Sequence, residues 1–397
     1  MLSAESAATV RATLPVVAEH LDTITARFYN TMLGEHPELL DGLFNRGNQA
    51  SGEQRRALAG AVAAFASALL AAPDERPDAL LGRIAHKHAS LGVTDDQYTI
   101  VHKYLFGAIA HVLGEAATPE VVAAWDEVYW LMAGALIALE ARLYADAGHA
   151  NGRDVWRTWT VTERIEQTPD TVSLTLEPRD GTVTPPSPLP GQYVSVRLRM
   201  PDGVRQARQY TLTGWDGARR SITVKRLRAE SDAPAGEVST LLHETAFPGS
   251  TLTVSDPAGD VVLPGGDHPL LLASAGIGCT PMVALLRGLV ERGDTRPVLV
   301  LHADRSSQSH AHRDEIAALA DALPGGRSVT WYEDGDDGDR TGRMDLDGVD
   351  IPEGVEAFLC GPLPFMRGVR TRLLAAGVPA RRVRYEVFGP DLWLGSD

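Results

Sequence analysis

LLLASAGIGCTPM, residues 270–282, passes from an apolar run through two glycines into a stretch suited to a helix. The run has strand length. Gly276 and Gly278 allow a tight turn and close backbone approach. Thr280 is placed as the N-cap of the helix and Pro281 as its first residue. Strand, turn and helix in this order aim a helix N-terminus at the strand's carboxyl end, where a pyrophosphate can sit. The third glycine of the usual dinucleotide fingerprint is missing, with Thr-Pro in its place, and a G-x-G alone is a weak signal that a structural turn also explains.

The rest of the chain toward the C-terminus extends the pattern. PMVALLRGLVERG, PVLVLHA, a helix over 309–323, VTWYE, EAFLCG and RVRYEVF alternate helix and strand, which predicts a parallel sheet with crossover helices. CGP (360–362) closes a later strand, and strand-end glycines lie where such sheets bind ligands.

Upstream the composition changes twice. Residues 153–264 are rich in Val, Thr, Gly and Pro, with alternating runs at 194–198 and 222–224, and read as a small β-barrel. Residues 1–147 are rich in Ala and Leu with 3.6-residue periodicity and read as all-α. The expected order is an all-α domain (1–147), an antiparallel β-barrel (153–264) and an α/β parallel-sheet domain (265–397).

Of 397 residues, 37 are Lys or Arg and 52 are Asp or Glu, a formal net charge of −15 shared by both ends of the chain. This balance argues against a nucleic-acid or anionic-membrane partner. Two cysteines, Cys279 and Cys360, form no disulfide framework and suit a reducing compartment. The N-terminus lacks the basic and apolar regions of a signal peptide. The longest apolar runs are short of a membrane span. A soluble cytoplasmic chain is expected.

IAHKHASLG (84–92) carries two histidines two positions apart, which a helix points about 200° away from each other. Leu81, Ile84, His88 and Leu91 share one apolar stripe, so His88 faces inward. His86 shares its side with Gly82, Arg83 and Ser90, a face that solvent can wet. An inward histidine is either a satisfied core residue or a ligand. A turn at Gly92 leads to Thr94-x-x-Gln97, a capping box, and Tyr98 opens the next stripe with Val101, Leu105 and Val112. On the last helix Glu140 interrupts the stripe Tyr129, Met132, Leu136, Leu143. A buried carboxylate is costly without a partner. One economical arrangement brings Tyr98 and Glu140 to His88, where they would orient the imidazole and raise its basicity; three separate residues at helix ends fit the spacing equally well.

GxGxTP followed by CGP resembles the pyridine-nucleotide half of the ferredoxin–NADP reductase superfamily. The resemblance implies that Gly276, Ile277, Gly278, Cys279, Thr280 and Pro281 wrap the nucleotide's phosphates and that Cys360, with Gly361 and Pro362, lies near the nicotinamide. Cys279 could also be a small filler residue. After PVLVLHAD come Arg305-Ser306-Ser307; these could accept a 2′-phosphate or form a solvated turn, so NADH and NADPH stay unseparated. In the same superfamily an Arg-x-Tyr-Ser/Thr motif binds flavin, and RQYTL (208–212), at the start of a strand, matches it. By that match Arg208 takes the pyrophosphate, Tyr210 packs on the ring and Thr211 contacts its polar edge, with Gln209 between them and Tyr193 as the accompanying aromatic. A guanidinium suits a diphosphate and an aromatic suits a planar ring. GEVST (236–240), with Gly236 and Ser239, resembles the second phosphate-contacting turn.

ARFYNTM, HPEL, LFNRGNQ, GEQRRAL, IAHKHASLG and YEVFGP together resemble the flavohaemoglobins over essentially the whole chain. That resemblance implies haem b, FAD and NAD(P)H as cofactors. His88 matches the proximal iron ligand, and Tyr98 and Glu140 the proximal hydrogen-bonded pair. Tyr29 matches the tyrosine that holds oxygen, Gln54 and Leu58 complete the pocket, and Phe44 wedges the haem. Gln54 has a competing local reading, since Ser51-x-x-Gln54 also fits a capping box. Lys87 and Glu386 match residues that affect haem and flavin redox properties. Glu386, Val387, Phe388, Gly389 and Pro390 match the segment closing over the flavin, with Phe388 against the ring.

A nicotinamide delivers two electrons together, haem iron takes one at a time, and a flavin converts between the two. The resemblance therefore implies nitric oxide dioxygenase activity, 2 NO + 2 O2 + NAD(P)H → 2 NO3⁻ + NAD(P)⁺ + H⁺, in a monomer with no obligate protein partner. The rival expectations are a reductase of hydroperoxides or other acceptors, and an oxygen- or nitric-oxide-sensing globin, against which a complete electron supply argues.

Overall fold

The computed structural model describes residues 1–75, 77–179, 185–229, 234–335 and 337–390, and for Ala50 and Ala79 the backbone alone. Contact density divides the chain into two compact units. One holds Met1–Trp156 with Arg197–Arg208 and the segment from Gly389. The other holds Arg157–Val196 and Gln209–Phe388.

The first unit is built on helices α1 (Ala4–Glu35), α2 (Arg46–Ala50), α3 (Glu53–Ala71), α4 (Asp78–Leu91), α5 (Asp95–Leu113) and α6 (Pro119–Asp146). Val10 and Val17 of α1, Phe65 and Leu69 of α3, Leu81 of α4 and Trp125, Val128 and Leu136 of α6 form one buried cluster. α6 is long and apolar enough, by length and composition, to cross a membrane. Its longest uncharged run is Val128–Leu139, bracketed by Asp126, Glu127, Glu140 and Arg142. This explains why the uninterrupted runs look too short. α4 ends at Gly92, whose φ of 77° is left-handed; a Cβ there would lie 2.4 Å from the Gly152 carbonyl oxygen. Only glycine allows both the turn and the approach.

Of two sequence expectations about helix starts in this unit, one changes and one holds. α3 is capped by Gly52 at φ 74° rather than by Ser51, so Ser51-x-x-Gln54 is no capping box and Gln54 is released from that role. Thr94 does begin α5, its amide donating to Gln97 Oε1 at 3.0 Å.

In the second unit β1 (Trp156–Thr168), β2 (Thr171–Pro178), β3 (Tyr193–Arg199), β4 (Arg205–Asp216), β5 (Arg219–Lys225) and β6 (Thr251–Ser255), with α7 (Glu237–Thr245), make a closed barrel in the order β1-β2-β5-β4-β3-β6. The tips of β3 and β4, residues 197–208, cluster with the helices. β1–β2, β2–β5 and β4–β5 pair antiparallel. Val161, Val172, Leu174, Leu176, Leu212 and Ile222 fill the interior, each fully buried.

A parallel sheet comes next, from β7 (Leu270–Ala275), α8 (Cys279–Glu291), β8 (Val298–Asp304), α9 (Arg313–Asp321), β9 (Gly326–Tyr332), β10 (Arg340–Thr341), β11 (Glu356–Cys360), α10 (Leu363–Ala375) and β12 (Val383–Glu386). Its order is β10-β9-β8-β7-β11-β12. The chain moves outward from β7 through β8 to β10, then returns to the other side of β7. The switch point thus falls between β7 and β11, and α/β sheets bind ligands beyond the strand ends at that point. Leu270, Leu272, Val300 and Phe358 of the sheet pack on Met282, Val283, Leu286 and Leu289 of α8. The helix expected over 309–323 is shorter: a 3-10 turn at Ser307–Ser309 precedes α9.

Candidate functional site

In the first unit α4 delivers His88 to a buried pair. Its Nδ1 lies 2.8 Å from Glu140 Oε1 and 3.0 Å from the Tyr98 hydroxyl, which donates to the same oxygen at 2.5 Å. Glu140 is 2% exposed. A carboxylate can only accept, so His88 holds its proton on Nδ1. Burial first, then the charge and hydrogen bond of Glu140, pushes the Tyr98 phenol far above its ordinary pKa. Tyr98 therefore remains a donor. Its backbone carbonyl accepts from the Tyr129 hydroxyl at 2.6 Å, fixing α5 against α6. His88 Nε2 has no hydrogen-bond partner among the described residues, and the ring is 33% exposed. An imidazole backed by a carboxylate, with its other nitrogen unclaimed, is the donor set a haem iron takes.

The neighbouring face differs from the sequence expectation. Ser90 is buried and His86 half-buried, because Ala85 and Ala89 are buried as well and α4 packs on more than one side.

Tyr29 of α1 is buried beside Phe44, ring centroids 5.8 Å apart at 83°. Burial raises its pKa, while a side-chain hydrogen bond with Gln54 pulls the other way. Leu58, Phe44 and Tyr29 belong to one apolar cluster with Phe28 and Met32. A hydroxyl in a largely apolar surround suits a small diatomic ligand. The Phe44 segment is held by a residue that sequence reasoning missed. Gln206, fully buried, donates from Nε2 to the carbonyls of Leu40 and Phe44 at 3.4 and 3.3 Å and accepts from the Arg46 amide at 3.1 Å. Asp41 accepts from the amide and guanidinium of Arg205, which depresses its pKa.

β4 carries Arg208, Gln209, Tyr210 and Thr211 in mid-strand rather than at its start, because the strand begins at Arg205. Arg208 donates to Asn45 Oδ1 at 2.7 Å, and Gln209 to Ser195 Oγ at 2.9 Å. Tyr193 is buried, and a Cβ on Gly259 would lie 3.2 Å from its ring. Gly236 caps α7, and Ser239 Oγ donates to its carbonyl at 3.1 Å. Lys87 Nζ donates to the Gly389 carbonyl at 3.0 Å. Phe388 is half exposed, Val387 and Pro390 are partly buried, and Glu386 is buried in register with Cys360.

At the switch point Gly276–Gly278 form a 3-10 turn into α8. Thr280 is not the N-cap; Gly278 is, and α8 starts at Cys279. Thr280 instead lies inside the first turn, donating to the Ile277 carbonyl at 3.1 Å and to Thr211 Oγ1 at 3.4 Å. The hydroxyls of the two motifs thus meet, both buried. A Cβ on Gly278 would lie 2.3 Å from the Cys360 oxygen, so this glycine brings the turn onto the β11 end that leads into Gly361 and Pro362. Among the described residues no atom outside its neighbours comes within 4 Å of the Gly276 Cβ position, and its φ is +53°. A backbone turn open on one side at a helix N-terminus fits a pyrophosphate. Burial raises the thiol pKa values of Cys279 and Cys360. Cys279 donates to the Ala311 carbonyl at 3.5 Å. Both cysteines are buried and free, with no thiolate available as nucleophile.

Three histidines between 302 and 312 escaped sequence reasoning, although HADRSSQSHAH displays them. His302 and His310 stack at 3.8 Å; His302 Nδ1 meets Ser274 Oγ at 2.9 Å, and His310 Nδ1 meets the Tyr332 hydroxyl at 2.8 Å. Burial, then the neighbouring His302, lowers the His310 pKa to about 2. Asp304 is held at about 2: burial opposes ionisation, but hydrogen bonds from His302 and Ser309 outweigh it. Its carboxylate therefore faces the protein. Arg305 is exposed at the strand end.

Residues 26–136 match the globin family, and residues 272–371 match the oxidoreductase NAD-binding domain. The flavohemoprotein of Bordetella pertussis is 44% identical over 98% of this chain and 99% of its own length. That of Deinococcus radiodurans is 40% identical over 98% of each. The crystal structure of a flavohemoglobin from Malassezia yamatoensis with bound FAD and haem superposes with a TM-score of 0.91, at 40% identity over 98% of this chain and all of that one. The FAD/NAD-binding domain of a nitric oxide dioxygenase from Vibrio cholerae matches 59% of this chain and 99% of its own, at 35% identity and a TM-score of 0.56. Helical, barrel and parallel-sheet parts are thus matched together in one order, and the chain belongs to the flavohaemoprotein family.

Proposed function

We propose that the protein is a cytoplasmic nitric oxide dioxygenase holding haem b and FAD, which spends one NAD(P)H to convert two NO and two O2 to two nitrates. The observation that carries this reading is the Tyr98–Glu140–His88 network, set in a chain that also supplies Tyr29 and Gln54. The Vibrio cholerae relative, named for the same activity, supports it, and two free buried thiols suit a reducing compartment.

When bound, the nicotinamide, flavin and haem supply a two-electron donor, a converter to single electrons and an oxygen-binding iron. His88 Nε2 would hold the iron. Glu140 keeps the Nδ1 proton engaged and so strengthens the ligand's electron donation. Tyr98, locked in its protonated form, spares Glu140 from being a lone buried carboxylate. On the other side the Tyr29 hydroxyl would donate to a bound diatomic, with Gln54 setting its direction and Leu58 and Phe44 excluding water. Arg208 would neutralise the flavin pyrophosphate and Tyr193 and Tyr210 would pack on its rings. The backbone amides of Gly276–Pro281 would take the nicotinamide nucleotide's phosphates. Lys87 would hold the Gly389 carbonyl at the end of the closing segment.

Purified protein loaded with haem and FAD should consume NO with NADH or NADPH in air and lose that turnover under argon. NO consumption that ignores oxygen, or none above the hydroperoxide-dependent rate, contradicts the proposal.

A further inference from the structure

His312 is the only described non-glycine residue with a positive φ, 60°, and it caps α9. Such strain persists where the surroundings over-determine it. Its side chain is 4% exposed, and both ring nitrogens are used: Nδ1 meets Glu315 Oε2 at 2.8 Å and Nε2 meets Thr223 Oγ1 at 2.7 Å. Its amide donates to Gln167 Oε1 at 3.3 Å. Gln167 and Thr223 lie on barrel strands β1 and β5, whereas Glu315 lies on α9 of the parallel-sheet part. Glu315 Oε1 accepts in turn from Arg287 Nε at 2.7 Å, and Arg287 is on α8, the helix that starts in the phosphate turn. On the barrel side the Thr223 hydroxyl sits 3.4 Å from that of Thr213 on β4.

Thr213 lies two residues beyond Thr211 on β4, at a bulge in the pairing with β5 between Leu212 and Gly214. Arg287 lies seven beyond Thr280, about two helical turns. β4 and α8 are therefore joined twice: directly through Thr211 and Thr280, and through the relay Thr213, Thr223, His312, Glu315, Arg287. The first joint is a single 3.4 Å hydroxyl contact; the second is a network buried at Thr213, Thr223 and His312 and reaching the more exposed Arg287, in which the loss of one member weakens the others.

We propose that His312 is a positioning residue for electron transfer from nicotinamide to flavin, fixing α8 against β4 so that the phosphate turn and the flavin strand keep one spacing. This rests on the nicotinamide and flavin reading above. His312 touches neither motif, so its effect falls on the rate of the transfer rather than on nucleotide affinity.

The test is rapid-mixing reduction of the flavin in the full-length holoprotein by NADH and by NADPH, with His312→Asn, Thr223→Val, Thr223→Ser and the double variant His312→Asn/Thr223→Val. Asparagine tolerates the left-handed backbone, and Thr223→Val leaves that backbone untouched, which separates the effect from a folding defect. The limiting rate should fall about tenfold to a hundredfold in His312→Asn and Thr223→Val, the scale of a small misplacement of reacting groups. The nucleotide concentration at half-saturation should move less than about twofold, since the phosphate turn is unchanged. The double variant should be no slower than His312→Asn, and Thr223→Ser should keep the wild-type rate. The same pair should be non-additive in the urea midpoint of protein stripped of its flavin. Variants as fast as wild type, or losses that multiply in the double variant, overturn the assignment. A wild-type protein that takes no electrons from either nucleotide overturns the underlying functional reading instead.

Discussion

His88 and His312 are each paired with a glutamate at 2.8 Å through Nδ1, yet they are put to opposite uses. At His88 the second nitrogen has no partner among the described residues and the ring is a third exposed; at His312 the second nitrogen is taken by Thr223 and the ring is buried. One held nitrogen orients an imidazole and leaves it a ligand. Two held nitrogens make it a structural joint. The carboxylate partner alone does not distinguish a reactive histidine from a structural one; the state of the other nitrogen does.

The largest break in this comparison is His88→Ala, which should abolish haem binding, seen as loss of the haem absorbance in purified protein. His86→Ala and His312→Asn should both keep the spectrum. A spectrum lost with His86 instead would mean that α4 presents its other face to the cofactor. Next comes Glu140→Gln, which keeps the shape and removes the charge. The less basic imidazole should lower turnover by about tenfold to a hundredfold, the usual cost of losing a partner behind a metal ligand. The iron–histidine stretching frequency should fall with it. Unchanged vibrational and kinetic behaviour would show that the pair only fills space.

Smaller is the effect of Tyr29→Phe. Removing one hydroxyl donor worth about 1.4 kcal/mol should speed oxygen release roughly tenfold, by flash photolysis, with flavin reduction unaltered. Slowed flavin reduction would contradict a purely local role. The smallest concerns His310, whose pKa of about 2 keeps it neutral in the fold while the unfolded chain titrates near 6.5. Between these values the unfolded state binds the extra proton. Stability is therefore full above about pH 6.5 and declines as pH falls, by at most about 1.4 kcal/mol per pH unit. His310→Gln should flatten the acid side of the urea-midpoint profile between about pH 6.5 and about pH 4.5. An identical slope in the variant would place the acid sensitivity elsewhere.

Much of the architecture was legible because periodicity and strand-end glycines are local signals. The 3-4-3 spacing of Leu81, Ile84, His88 and Leu91 was enough to turn His88 inward, and LLLASAGIG to start a parallel sheet. Burial on the far side of α4 was not legible, since nothing in the helix's own spacing marks Ser90 as buried. Helix starts were misread where a glycine outcompeted a hydroxyl: Gly52 and Gly278 cap α3 and α8, and the hydroxyls of Ser51 and Thr280 serve otherwise. Gln206 carried no local signature, and His312 showed only as one of three histidines in HADRSSQSHAH. Their partners lie 162 residues away at Phe44 and 89 away at Thr223, and only the folded chain brings them together.

The central claim, that electrons entering from a nicotinamide end in nitrate, is tested most directly by stoichiometry. Protein loaded with haem and FAD, given NO in air-saturated buffer with limiting NADH or NADPH, should form two nitrates for each nicotinamide oxidised. Nicotinamide oxidation without nitrate would contradict the account and leave an oxidase or hydroperoxide reductase in its place.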